Sequence, residues 1–305
     1  HSFCATRSRG KLLSILVSMI SLSKLHSQLL QHKILWTAVI AVATVALGFA
    51  GDLQTLRLTP ASNMDRAELH YVKTVSNPKA VLVLCPGFNG SGEGLIQSKA
   101  WQEFAESERL GLVGLSFASP VSTFHDGTGY YYASKGSGQV LLDGIREIYG
   151  KNLPLILYGF SGGAHFTSRF TEWSPKNVLT WCAYSAGWWD VPEASENAPP
   201  GIVSCGDADH RYGASLIYFK QGRAAGKPWI WVSLGGIGHV GSRHLDEFVR
   251  NYFSTTLNNR PGDGVWVDVD TKNLVTDKEA SAQSALSGWL PSKKLFDEWR
   301  KIHAP

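Results

Sequence analysis

Leu155-Ile156-Leu157-Tyr158-Gly159-Phe160-Ser161-Gly162-Gly163 is the stretch from which the rest of the chain can be read. Four apolar or aromatic residues in a row, opened by Pro154, describe a strand buried on both faces. Residues 162–173 that follow carry helical spacing. Between strand and helix stands the pattern Gly-x-Ser-x-Gly, residues 159–163. A serine in so sharp a turn is lifted clear of the backbone, and small residues two positions to either side let strand and helix approach closely. The amides of the helix N-terminus then face any negative charge that develops beside the hydroxyl. The pentapeptide alone is a weak signal in a chain with 31 glycines. Its setting, strand before and helix after, carries the weight.

Working outward, short apolar runs alternate with amphipathic ones. Residues 53–58 and 67–73 read as a hairpin, followed by buried strands at Ala80–Cys85, 111–117, 155–158, 178–183, 202–205 and 229–233. Helical spacing appears at 93–107, 138–149, 162–173, 213–225 and from residue 244 onward. Continuous apolar strands separated by amphipathic helices imply an α/β fold, a doubly wound, mostly parallel eight-stranded sheet covered by helices on both faces. Three segments are expected: a leader at 1–50, a body at 51–258 and an extension at 259–305. In the extension, 265–269 reads as an edge strand and 293–302 as an amphipathic helix.

A nucleophilic serine needs a base, and the base needs an orienting acid. The strand at 202–205 runs into Gly206-Asp207-Ala208-Asp209, and the strand at 229–233 into Leu234-Gly235-Gly236-Ile237-Gly238-His239. In a parallel sheet both turns share the edge that carries Ser161. The expected order is therefore Ser161, Asp209, His239. Asp209 is preferred over Asp207 because it lies further past the strand end, while Asp207 is placed to bond its own turn. Two amides are expected to receive the developing oxyanion. One is Gly162 N–H. The other is Phe88 N–H, in the loop Pro86-Gly87-Phe88-Asn89-Gly90-Ser91-Gly92 after the first buried strand. That loop lacks the Gly-Lys-Ser/Thr ending of a phosphate cradle. Phe88, Trp188, Trp189, His125 and Tyr130 are the expected substrate-binding side chains. The short segment 187–200 predicts an open site.

With these residues on the page, Pro86-Gly87-Phe88, Gly159–Gly163, Gly206–Asp209 and Gly238-His239, the sequence resembles the α/β-hydrolase superfamily over roughly residues 55–257. Its flavour is similar to the secreted polyester depolymerase, cutinase-like and dienelactone-hydrolase-like branches. The resemblance implies hydrolysis of carboxylic esters through an acyl-enzyme, with bulky or polymeric esters as candidate substrates. A serine peptidase or amidase, or an inactive binding protein on the same scaffold, are the competing readings. Pro86 stands where much of the superfamily has His-Gly, and Gly162 where polyester-cleaving relatives often carry a larger residue such as Met.

Composition narrows the partners. The formal charge of +4 comes from residues 1–50, which hold five basic residues and no acid, leaving 24 basic and 25 acidic residues beyond. A near-neutral body makes nucleic acid a poor partner. Residues 34–50, ILWTAVIAVATVALGFA, follow Lys33 and end in small residues. A secretory signal peptide is expected, giving a secreted or periplasmic protein. The alternative is an N-terminal anchor that keeps the catalytic body at the membrane, outside the cytoplasm. Cys85 is expected as a buried thiol, and Cys182 and Cys205 are candidates for a bridge. No cofactor or metal is called for, and no CxxC pattern occurs.

Overall fold

The protein, seen in a computed structural model, is described over residues 51–124, 127–195, 197–259 and 262–302. The leader and its expected signal or anchor, and the expected site residue His125, lie outside the described residues. No described helix is long and apolar enough to cross a membrane.

The main sheet is built from β1 (Gln54–Arg57), β2 (Arg66–Val72), β3 (Ala80–Cys85), β4 (Leu110–Ala118), β5 (Leu155–Phe160), β6 (Val178–Tyr184), β7 (Gly201–Gly206) and β8 (Trp229–Leu234). Their order across the sheet is β1-β2-β4-β3-β5-β6-β7-β8. β1 and β2 form the antiparallel margin. From β4 to β8 every neighbouring pair is parallel. β3 and β7 are buried at every position, and β5 at all but Phe160, as uninterrupted apolar runs require when helices cover both faces.

The covering helices are α1 (Glu93–Ile96), α2 (Lys99–Ser107), α3 (Ser137–Tyr149), α4 (Gly162–Trp173), α5 (Tyr212–Ala224) and α6 (Arg243–Asn258). The single helix expected over 93–107 is two. Ser98 takes an extended conformation, φ −61° and ψ 117°, which ends the first turn and starts a new helix. α6 begins where Ser242 Oγ accepts the Leu245 N–H, the bond that favours serine at a helix N-cap.

Residues beyond 264 add α7 (Asp277–Ala282), α8 (Lys294–Ile302) and a second sheet of β9 (Val265–Asp268), β10 (Leu274–Val275) and β11 (Ser287–Leu290). The expected edge strand, β9, is instead the centre of this sheet, in the order β10-β9-β11. The two-residue β10 is too short to have shown a period, and β11, Ser287-Gly288-Trp289-Leu290, carries no apolar run. This layer is bonded to the main sheet and its helices. Trp299 Nε1–H donates to the Trp231 carbonyl at 2.8 Å. Arg223 Nε–H donates to the Ser287 carbonyl, and its guanidinium lies 4.3 Å from the Trp266 ring centroid.

Cys85, Cys182 and Cys205 are buried free thiols, so the candidate bridge is corrected. Cys182 pairs in register with Ile202 on β7, which puts Cys205 three residues further along. That is roughly 10 Å at a strand's rise per residue, beyond what a disulfide spans.

Candidate active site

Strand direction places the site. β3, β5, β7 and β8 are parallel, so the turns that follow them gather at one edge. Ser161 follows β5 and has φ 54° and ψ −114°, a conformation that costs a non-glycine residue energy and recurs where function holds it. The surroundings fix it. Ser161 N–H donates to the Tyr184 carbonyl at 2.9 Å, and the Ser161 carbonyl accepts Ala164 N–H at 3.0 Å. The flanking glycines are sterically required. A Cβ on Gly159 would stand 2.2 Å from the Gly163 carbonyl oxygen, and one on Gly163 would stand 2.1 Å from the Cys85 carbonyl oxygen.

His239 Nε2 lies 2.9 Å from Ser161 Oγ, and His239 Nδ1 lies 2.7 Å from Asp209 Oδ2. With Asp209 ionised, Nδ1 carries the ring proton and donates to it, leaving Nε2 to accept from the serine hydroxyl. The Phe160 ring stacks on the imidazole at 4.8 Å. Ser161, His239 and Asp209 thus form a catalytic triad.

The acid is Asp209. Its carboxylate is fully buried, and Oδ1 accepts two bonds from Arg211, from the backbone N–H at 3.1 Å and from Nη1 at 3.0 Å. Burial pushes the carboxyl up. The His239 and Arg211 hydrogen bonds outweigh it and hold the group down at about 2. Asp207 serves the turn instead. Its Oδ1 accepts Gly236 N–H at 2.7 Å, tying the acid turn to the histidine turn. Ala208 N–H donates to the Ile237 carbonyl, and Tyr184 Oη–H to the Val240 carbonyl at 2.6 Å. Residues 236–240 are therefore held at three points around His239.

The loop after β3 is built as closely. A Cβ on Gly162 would lie 2.6 Å from the Phe88 nitrogen and 2.5 Å from its Cα, so the 88 backbone presses directly on the start of α4. Asn89 takes φ 56°. Its side chain exchanges two hydrogen bonds with the Ser119 backbone, at 2.8 and 3.0 Å. Arg66 Nη2 donates to the Asn89 and Gly90 carbonyls at 2.8 and 3.0 Å. Neither Arg66 nor Asn89 was expected as part of the site, because only tertiary folding brings β2 and residue 119 to this loop.

Beside Ser161 a small cavity of about 30 Å³ is lined by Phe88, Tyr131, Gly162, His165, Gly187, Trp188 and Arg211. Of the expected substrate-binding side chains, Phe88 and Trp188 stand on this wall. Tyr130 is not on this wall. It is 2% exposed and packs beneath Phe88, ring centroids 6.2 Å apart, while its neighbour Tyr131 reaches the cavity. Trp189 is also absent from the wall, stacked 4.2 Å from Tyr218 of α5. Adjacent aromatic residues point apart, and sequence could not say which one faces the serine.

His165 and Arg211 are residues that the sequence reading missed. His165 Nε2 accepts Gly187 N–H at 3.0 Å, and Trp188 covers its ring at 4.1 Å. Burial, then the charges of Arg169 and Arg211, push its pKa well down, so it stays neutral. Arg169 is itself paired with Asp190 through two bonds of 2.8 Å. A larger cavity of about 630 Å³ opens between α6, α8 and residues 234–244, and no triad residue lines it. Among the described residues, no group of three or more His, Cys, Asp or Glu side chains could hold a metal ion.

No protein-family model matches the sequence, and no curated protein matches it. Solved structures do. The fluorophosphonate-binding serine hydrolase FphF of Staphylococcus aureus is 13% identical, with a TM-score of 0.50 over 68% of this chain and 99% of that one. A hyperthermophilic esterase from the archaeon Pyrobaculum calidifontis is 10% identical, with a TM-score of 0.52 over 72% and 90%. At such identities the likeness is one of fold, and it singles out no cutinase-like or dienelactone-hydrolase-like branch. The chain has the α/β-hydrolase fold, with a Ser161–His239–Asp209 triad assembled at the edge where that fold carries its chemistry.

Proposed function

We propose that the protein hydrolyses carboxylic esters through an acyl-enzyme on Ser161. The observation that carries this reading is the unbroken chain Ser161 Oγ, His239 Nε2, His239 Nδ1, Asp209 Oδ2, with links of 2.9 and 2.7 Å. In the first half-reaction His239 takes the hydroxyl proton as Ser161 Oγ attacks the carbonyl carbon. The carbonyl oxygen becomes an oxyanion, and Gly162 N–H and Phe88 N–H are assigned to receive it. The close approach of Phe88 to Gly162 supports that pairing. His239 then returns the proton to the departing alcohol. In the second half, water loses a proton to His239 and attacks the acyl group, and Ser161 leaves with the proton restored. Asp209 keeps the imidazole in its working tautomer throughout.

The cavity favours a small group next to the scissile bond over the bulky or polymeric esters expected from the sequence. The apolar stretch at 34–50 supports export. The test is turnover of a short-chain aryl ester by wild type and by Ser161→Ala, with fluorophosphonate labelling alongside. Labelling at Ser161 and loss of turnover in the variant are expected. Equal turnover by both proteins would overturn the assignment.

A further inference from the structure

Arg211 is one residue the triad does not account for. Its backbone N–H and Nη1 hold Asp209 Oδ1, and its side chain is 23% exposed at the cavity beside Ser161. Among the described residues, neither its Nε–H nor its Nη2–H has a hydrogen-bond partner. The space over Gly187 opens onto that edge: a Cβ there would lie 3.5 Å from Arg211 Nε and 3.8 Å from His165 Nε2. The Nε/Nη2 side of a guanidinium is a planar fork matched to a carboxylate.

Building on the ester-hydrolase reading, we infer that Arg211 is a specificity residue that binds a carboxylate on the substrate, so that the preferred esters are small and carry an acid group. Size agrees with this, because the cavity has room for one carboxylate-sized group. The surroundings agree too. Asp209 is already shared between His239 and Arg211, and Asp190 is taken by Arg169. Neither carboxylate is left to satisfy the free edge of Arg211. The buried His165 stays neutral under the two guanidinium charges, so no further cation competes for the anion.

The test measures kcat/KM for monomethyl succinate and for methyl 4-methylpentanoate, in which an isopropyl group replaces the carboxylate, by titrating the acid released. Wild type is expected to prefer the acid ester about tenfold or more, the range of a charge-assisted hydrogen bond. Arg211→Met should bring the ratio to about one or below. Because Arg211 also holds Asp209, both rates fall in that variant and the ratio isolates recognition. Gly187→Ala gives an independent check, since its methyl would sit against Arg211 Nε without touching Asp209, and it should lower the ratio as well. A wild-type ratio of one or less, no turnover of either ester, or a ratio unchanged in both variants would overturn the inference. Labelling of Ser161 by a fluorophosphonate reports separately on the hydrolase reading: a labelled protein without acid preference loses only the role given to Arg211.

Discussion

Replacing Gly162 with alanine tests the oxyanion assignment with a single methyl. An ideal Cβ at that position would lie 2.5 Å from Phe88 Cα and 2.6 Å from Phe88 N. Carbon needs roughly 3.5 Å from such atoms, so the two backbones must part by about 1 Å. The loop is not free to absorb this movement. Arg66 holds the 89 and 90 carbonyls and Asn89 is bonded to Ser119, so the shift appears as displacement of the Phe88 N–H from its target. Losing one oxyanion donor costs about 100- to 1000-fold in kcat, or roughly 3–4 kcal/mol of transition-state stabilisation. KM should change much less, because the ground-state carbonyl makes the weaker contacts. The assay is steady-state hydrolysis of a short aryl ester by wild type and Gly162→Ala, with thermal melting to confirm folding. The rate of fluorophosphonate labelling should drop in parallel. A folded Gly162→Ala protein with kcat within about threefold of wild type would refute the idea that the 88 amide works beside Gly162.

Other consequences can be checked directly. Asp209→Asn should lower kcat about 10⁴-fold by removing the acceptor that fixes the His239 tautomer, which a pre-steady-state burst assay would read. Asp209 also gives stability a pH dependence: its folded value of about 2 lies below the unfolded 3.8. The stabilisation, about 2 kcal/mol, is present above pH 4 and is lost as pH falls toward 2. Urea midpoints measured across that window should fall less steeply in Asp209→Asn. Trp299→Ala removes a fully buried indole and leaves the Trp231 carbonyl without its donor. A loss of about 3–5 kcal/mol should appear as a lower urea midpoint. Burial pushes the Cys85 thiol up to about 12 and holds Cys182 and Cys205 above their usual range. Iodoacetamide at pH 8 should therefore modify none of the three in native protein and all three after denaturation, as read by mass.

The eight strands of the main sheet were legible because buried parallel strands are unbroken apolar runs, and their order along the chain decides which turns share an edge. That was enough to bring Ser161, Asp209 and His239 together from residues 48 and 30 apart in sequence. A backbone direction is a local property, and the triad follows from direction. The break at Ser98 and the small strands β10 and β11 were not legible: Ser98 lies inside a continuous helical spacing, β10 has only two residues, and β11, Ser287-Gly288-Trp289-Leu290, carries no apolar run.

Sequence by itself determined the fold class, the nucleophile, the base and the preference for Asp209, because each stands at the end of a strand whose course the apolar pattern fixes. Only the tertiary structure decided what surrounds them. Tyr131 rather than Tyr130 faces the cavity, Trp189 turns away to Tyr218, and Arg66 and Asn89 clamp the loop at Phe88. Arg211 leaves an open edge beside the serine. Which way a loop side chain turns depends on contacts with residues far away in the chain, and those contacts exist only once the strands have been laid side by side.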